Sequence, residues 1–308
     1  MAGSAATLAG RRARAWAAMA PVLAATPALA CYAGWPIDQI PVIDPPDLRA
    51  DYGRWNSIGA SHAELSAAAD DAERGGNGAV RPGIIAGWST GSGGGGRGLF
   101  VADARERATY IGQALARLLP VKALPGARIA LVLRANSALY SDVGRSRFRH
   151  FGLELDDRAL GAALADFAPT VLIAPPHKWA ALARIGARLP TLRHGFYGAE
   201  PMGAGEQDWL ATAMGVRPLP IYQATEGFIA GACRHGRLHL NDHALAIDLE
   251  PVPGSGHDRL IVTDLYRHSQ PIVRVRLDDL VRPTGKRCPC GFAGRVIAPV
   301  MGRVSDLW

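Results

Sequence analysis

The sequence predicts an α/β fold: a mainly parallel sheet covered by helices, with a smaller β-rich subdomain after it. Three observations carry this. From Gly83 to about Met214, short apolar runs alternate with amphipathic helical stretches, the pattern of strands buried between helices. After about Ala244 the runs read as strands separated by turns. Before Gly83 the chain is poor in strand pattern, and Pro-rich links separate helical pieces. The expected organisation is a helical segment over 1–82, an α/β core over 83–243 and a β-rich subdomain over 244–308.

Each element has its own reason. The first thirty residues superficially resemble an export signal, with Arg11-Arg12 before an Ala-rich segment and Ala28-Leu29-Ala30 as a cleavage-like site. Arg14, Trp16 and Pro21 interrupt that segment, so it reads as an amphipathic helix. Trp35-Pro36 and Asp44-Pro45-Pro46 are links, and His62 to Arg74 is a helix capped by Ser61 and stopped by Gly75-Gly76. Ile84-Ile85-Ala86 is a buried strand. The stretch Ala102 to Leu119 is helical, with Asp103 and Glu106 at capping-box spacing and Ile111, Leu115, Leu118 and Leu119 on one face. Ile129–Leu133 and Val171–Ala174 are strands, and Asp157 opens a helix between them. Trp179–Leu189 and Gly205–Met214 are helices, with a strand ending at Phe196-Tyr197 between them. Ala244–Glu250, Leu260–Asp264 and Ile272–Arg276 are the late strands, with Pro253-Gly254-Ser255-Gly256 as a turn. Ligands of parallel sheets collect at the C-terminal strand ends, where Ser89, Tyr197 and Tyr222 are expected.

Composition narrows the function. The net charge of +7 comes almost entirely from arginine, because Lys122, Lys178 and Lys286 are the three lysines. No basic run is interleaved with aromatics, which argues against nucleic acid; a positive balance also suits anionic nucleotides. No run is long enough to cross a membrane. The four cysteines do not suggest a disulfide scaffold in a chain this long, and a cytoplasmic protein is expected.

The stretch Gly87 to Gly98, GWSTGSGGGGRG, organises the rest. It is rich in glycine and carries the hydroxyls of Ser89, Thr90 and Ser92 and one cation, Arg97. A loop so poor in side chains exposes successive backbone N–H groups that fold readily around a phosphate. Gly91-x-Gly93-x-x-Gly96 matches the dinucleotide fingerprint, but the acid expected about 20 residues on is missing from the helical stretch there. A kinase-type loop needs Gly-Lys-Ser/Thr at its end, and this one ends Arg97-Gly98-Leu99. The loop of adenylate-forming enzymes and a flexible linker are the other two readings.

Further stretches decide among them. In order they are Phe196-Tyr197-Gly198-Ala199-Glu200-Pro201, Tyr222-Gln223-Ala224-Thr225-Glu226-Gly227, Val262-Thr263-Asp264-Leu265, Pro271 to Leu280, and Gly302-Arg303-Val304-Ser305-Asp306. Together with the loop they resemble the adenylate-forming superfamily, and within it phenylacetate–coenzyme A ligase-like and coenzyme F synthetase-like proteins. The resemblance covers Trp35 to Asp306. It implies ATP-dependent adenylation of an aryl or acyl carboxylic acid, with magnesium, and transfer to a thiol such as coenzyme A. Ser89, Thr90, Gly91, Ser92, Gly93 and Gly94 would bind the β- and γ-phosphates, with Arg97 where the family usually has lysine. Thr225 would touch the α-phosphate and Glu226 would hold magnesium. Tyr222 would face adenine, with Gly198, Ala199, Glu200 and Pro201 around the base's edge. Asp279 would accept from the ribose hydroxyls, and Arg303 would reach the ribose or a phosphate. The segments around His150-Phe151 and Pro175 to Trp179 are candidates for the acid pocket.

A second constellation is metal-like. Cys288-Pro289-Cys290-Gly291 is a tight thiolate pair, and Cys233 lies upstream with His235 and His239 after it. Three thiolates and one imidazole make a closed tetrahedral zinc site. The resemblance favours His239 over His235, giving Cys233, His239, Cys288 and Cys290 for a structural zinc. The alternative is reduced, half-buried cysteines.

The family's large lobe continues past its Gly-Arg-x-x-Asp hinge into a small lobe that supplies a catalytic lysine. Here the sequence ends at Trp308, and Lys286 precedes the hinge. The large lobe alone is therefore expected, with a missing lobe or a partner supplying the lysine, and ATP binding with poor turnover. A nucleotide-binding pseudoenzyme or regulatory module is the second reading.

Overall fold

The computed structural model describes residues 5–89, 97–133, 147–285 and 287–307. Helices α1 (Ala5–Ala18), α2 (Ala20–Ala24), α3 (Pro45–Ala50) and α4 (His62–Glu73) form the N-terminal part. Ser61 caps α4 with the reciprocal bonds of a capping box: its Oγ accepts from Glu64 N, and its own N–H donates to Glu64. Strands β1 (Ala79–Arg81), β2 (Ile84–Trp88) and β3 (Leu99–Asp103) follow as an antiparallel sheet. The glycine loop therefore joins two strands of a hairpin, and it does not lead straight into the helix. Helix α5 (Ala104–Leu118) starts after β3, with both bonds of the Asp103–Glu106 capping box present. Ser89 accordingly follows an antiparallel strand; the expected position at the edge of the parallel sheet is corrected.

The central sheet is built from β4 (Ile129–Val132), β5 (Phe148–Phe151), β6 (Val171–Ile173), β7 (His194–Tyr197), β8 (Pro218–Ala224), β9 (Gly227–Ala232), β10 (Leu238–Leu240) and a late strand, Val296–Ile297. Helices α6 (Asp157–Phe167), α7 (Pro176–Arg184) and α8 (Ala204–Met214) connect its parallel strands. β5, β4, β6, β7 and β8 are neighbours in that order and all parallel, whereas β9 and β10 turn back antiparallel. Alternation along β4 puts Ala130 and Val132 in the core under α6 and α7, and Ile129 and Leu131 in the core on the other face. Helix α7 spans Pro176–Arg184 where the pattern predicted Trp179–Leu189, because Pro176 suits the first helical turn.

The last antiparallel sheet pairs β11 (Leu245–Val252), β12 (His257–Asp264) and β13 (Val275–Arg276) in that order. β13 is shorter than the predicted Ile272–Arg276 because Arg274 has φ +46°, which breaks the extended run. The late strand of the central sheet, Val296–Ile297, is β14 and pairs with β10. Position 82 falls between β1 and β2 of one sheet, and the N-terminal core joins Met19, Leu23 and Leu65 to Val101, Ile272 and Val275. Among the described residues no helix is long and apolar enough to cross a membrane.

Candidate functional site

The base of the glycine hairpin is pinched shut. Ser89 N donates to Gly98 O at 2.7 Å, and Gly98 N donates to Ser89 Oγ at 3.0 Å. Thr90, Gly91, Ser92, Gly93 and Gly94 lie outside the described residues. Arg97 turns back from the loop: its Nη1 meets Glu73 at 2.6 Å, its Nε donates to Ser89 O, and its guanidinium lies 5.9 Å from the Trp88 ring. Gly98 touches the next motif. A Cβ there would stand 2.8 Å from Thr225 Oγ1, so only glycine lets the hairpin base reach the Thr225-Glu226 turn. Gly98→Val is accordingly expected to displace Thr225 and lower the melting temperature by a few degrees or more, because an overpacked contact costs stability. Calorimetry checks it.

That turn, between β8 and β9, is held from behind. Arg267 donates Nη1 to Thr225 O and Nη2 to Gln270 Oε1, the latter at 2.7 Å. Gln270 in turn bonds both Leu99 O (3.0 Å) and Val101 N (3.1 Å), so β3 and the turn share one clamp. Glu106 accepts from His268 N, Ser269 N and Ser269 Oγ besides closing the α5 capping box. Tyr52 Oη accepts from Leu99 N at 3.0 Å. Burial pushes the Glu226 carboxyl above its ordinary range, and Asp279 adds to the rise, against the pull of Arg267 and Arg49.

Tyr222, 8 % exposed, donates its hydroxyl to Asp279 Oδ2 at 2.7 Å. Burial raises the Asp279 pKa, opposed by that hydrogen bond and by Arg303, whose Nε lies 3.9 Å from Oδ1. The Gly302 to Asp306 segment is strapped along the 278–280 stretch: Asp279 bridges Arg303, Leu280 N donates to Gly302 O, and Ser305 Oγ donates to Asp278 Oδ2 at 2.6 Å. Beyond β7, Gly198 lies against β8, where a Cβ would be 3.1 Å from Ile221 Cγ1. Ala199 takes φ +71°, a strained conformation for a residue with a Cβ. Glu200 lies 3.4 Å from His177, and Pro201 follows it. Ser89, Gly98, Thr225, Glu226, Tyr222 and Asp279 are thus linked by direct contact or by adjacency along β8.

The two segments expected near an acid pocket are tied to the sheet. His150 Nε2 bonds Leu133 O at 3.0 Å, and the buried Trp179 donates Nε1 to Phe196 O in the core beneath α7.

Cys233, Cys288 and Cys290 converge at the antiparallel end of the central sheet. Ligand atoms of Cys233, His239, Cys288 and Cys290 all lie within 4.8 Å of one another. Cys233 Sγ is 3.6 Å from Cys288 Sγ, and Cys290 Sγ is 3.5 Å from His239 Nε2. His239 Nδ1 bonds Gly294 O at 2.9 Å; a carbonyl only accepts, so Nδ1 carries the proton and Nε2 is left as a lone pair toward the thiols. Burial holds the His239 pKa below its ordinary value, which keeps that lone pair free. The His235 ring accepts from Arg234 Nε, and its backbone N–H donates to Cys233 Sγ at 3.4 Å.

No protein-family model matches the chain. Over 161 residues, 47% of this chain, it is 26% identical to the phenylacetate-coenzyme A ligase of Thermus thermophilus, and the match spans 36% of that protein. A solved 2-hydroxyisobutyryl-CoA ligase, in an open conformation with 2-HIB-AMP and CoA, superposes on 98% of this chain and 70% of its own, with TM-score 0.67 and 16% identity. The chain has the fold of the adenylate-forming enzymes. The anthranilate CoA ligase AuaEII in complex with anthranoyl-AMP shares that fold over 73% of this chain and 48% of its own, with TM-score 0.53 and 16% identity. The resemblance read from the motifs stands, and an adenylate-forming fold accounts for the mixed sheet with its separate antiparallel ones.

Tyr52, Glu106, Arg267 and Gln270 support this site without having been singled out as site residues in the sequence. Glu106 carried a signal, its capping-box spacing, but that signal explains only half of its bonds. Gln270, an amide just before the apolar run at Pro271, was the other hint.

Proposed function

We propose that the chain adenylates a carboxylic acid with ATP, releases pyrophosphate, and passes the acyl group to a thiol such as coenzyme A. One observation carries the reading: the glycine-hairpin base meets the Thr225-Glu226 turn at Gly98, on the strand whose Tyr222 grips Asp279. In the reaction a carboxylate oxygen attacks the α-phosphorus. The bond from that phosphorus to the bridging oxygen breaks, and pyrophosphate leaves with the electron pair. The chain's contribution is alignment and charge. Ser89 and the glycine loop beyond it hold the β- and γ-phosphates, and Arg97, anchored on Glu73, stiffens the loop's exit. Thr225 meets the α-phosphate. Tyr222 and the Gly198-Ala199-Glu200-Pro201 backbone hold the base, Asp279 takes the ribose hydroxyls, and Arg303 sits beside it. Glu226 would hold magnesium, a hard ion that takes oxygen ligands, and its positive charge would offset the negative charge of the phosphates.

Cys233, His239, Cys288 and Cys290 would hold zinc as a structural ion. Three sulfurs and one imidazole nitrogen in the right tautomer suit zinc, and the ion would tie the β9–β10 hairpin to the loop before β14. A lysine brought by a further lobe or a partner belongs to this reading. Lys178, buried, is instead held by Asp157 and the Leu155 carbonyl, both at 3.0 Å. The reading places the chain in the cytoplasm. The acyl-AMP and CoA in the names of the similar structures favour it over a nucleotide-binding module. A panel of carboxylic acids with ATP and magnesium tests it: at least one acid is expected to give its acyl-AMP by mass spectrometry. Tight ATP binding with no acyl-AMP from any acid would contradict it.

A further inference from the structure

Helix α5 ends against the cysteine cluster, and Arg117 in its last turn makes the contact. Its Nη2 donates to Gly231 O at 2.7 Å. Gly231 is the register partner of His239 across the β9–β10 pair. A Cβ at position 231 would stand 3.2 Å from Arg117 Cγ, so the glycine leaves room for the side chain to come this close. The guanidinium lies over the Phe292 ring, 4.3 Å from its centroid. Phe292 in turn meets the His239 ring edge-on at 5.5 Å, and its N–H donates to Cys290 Sγ at 3.4 Å. Arg117 is thus fastened to the strand paired with His239 and to the ring that follows Cys290.

The charge on Arg117 has no partner of the usual kind. Among the described residues no carboxylate pairs with it, and its Nε is shut off from solvent without a hydrogen bond. Taking a cation out of water without a counter-charge is strongly unfavourable, and the Phe292 ring face offsets only part of that. The groups within its electrostatic reach that can carry negative charge are Cys233, Cys290 and Cys288. Arg234 and Arg237, also near the cluster in sequence, are exposed, where water and salt screen their charge.

We propose that Arg117 is the counter-charge of the metal centre and the residue that positions the Cys290 loop against α5. This rests on the zinc reading above. A divalent ion held by three thiolates keeps one surplus negative charge. His239, with its proton on Nδ1, ligates as a neutral ring and adds none. One guanidinium balances the centre. Arg117 does not ligate the ion; it acts from outside the ligand set, through the Gly231 carbonyl and the Phe292 ring.

Zinc affinity, measured by competition with a chromophoric chelator, tests this. Arg117→Met keeps most of the packing and removes the charge, and it is expected to weaken zinc binding about 10- to 100-fold. Arg117→Lys returns a positive charge and is expected to recover most of that loss, whereas a packing role predicts that methionine is the better tolerated of the two. The sign of the stability change is a second readout. With zinc, Arg117→Met is expected to melt below wild type; after chelation it is expected to melt at or above wild type, because an uncompensated cation has gone. Zinc affinity unmoved by Arg117→Met, Arg117→Lys binding zinc as weakly as Arg117→Met, or equal destabilisation with and without zinc overturns the proposal and leaves the zinc reading standing. Wild-type protein that takes up no zinc sinks the zinc reading, and the proposal with it. Arg117→Gln, uncharged and still able to donate to Gly231 O, serves if Arg117→Met does not fold.

Discussion

Glu226→Gln is expected to cut acid-dependent pyrophosphate release about 100- to 1000-fold while leaving the melting temperature unchanged or raised. The two halves have one cause. Burial, with Asp279 nearby, lifts the Glu226 carboxyl above its ordinary range, so the folded chain holds that proton to higher pH than the unfolded chain does. The folded state therefore binds more protons across that window, and stability falls as pH rises from the ordinary carboxyl range through the raised value. Glutamine keeps the shape and removes both the slope and the charge. The pH dependence of urea unfolding, measured beside turnover, checks it. A variant that loses stability together with activity would mean that Glu226 is a structural carboxylate.

Cys290→Ser is expected to lower the melting temperature by about 10 °C or more, because a structural metal contributes its binding free energy to folding. The four donors come from β10, from the residue after β9 and from a loop that follows much later in the chain, at 288–290. Arg237 Nη1, which donates to Arg287 O, and Arg117, over the Phe292 ring, also hold that loop, but the contacts among the ligands themselves are one sulfur–sulfur pair at 3.6 Å and one sulfur–nitrogen pair at 3.5 Å, which an ion would replace with bonds. Elemental analysis is expected to give one zinc per chain, lost in the variant. Cys31→Ser is the control, as Cys31 is exposed and outside the cluster. A wild-type protein free of zinc and equally stable with and without chelator would remove the metal from the account.

Much of the candidate site could be read from the sequence because its residues sit on short contiguous motifs. Tyr222, Thr225 and Glu226 occupy one strand and its turn, and Asp279 and Arg303 lie in motifs whose order is fixed along the chain. What was hidden depends on pairing between distant segments. Leu99 to Ala102 is a short apolar run that leads into a helix, and what makes it a strand is its antiparallel pairing with β2. Phe148-Arg149-His150-Phe151 mixes charge and aromatics and gave no strand signal, yet β4 pairs with it in parallel along its whole length.

The account turns on one nucleotide lying across the hairpin base, the Thr225 turn and the Tyr222–Asp279 pair. A crystal structure with a non-hydrolysable ATP analogue and magnesium tests it most directly. The predicted result puts the triphosphate at Ser89 and Thr225, the ribose hydroxyls on Asp279 and the base beside Tyr222. An analogue bound away from these residues, or no binding at millimolar concentration, would contradict it.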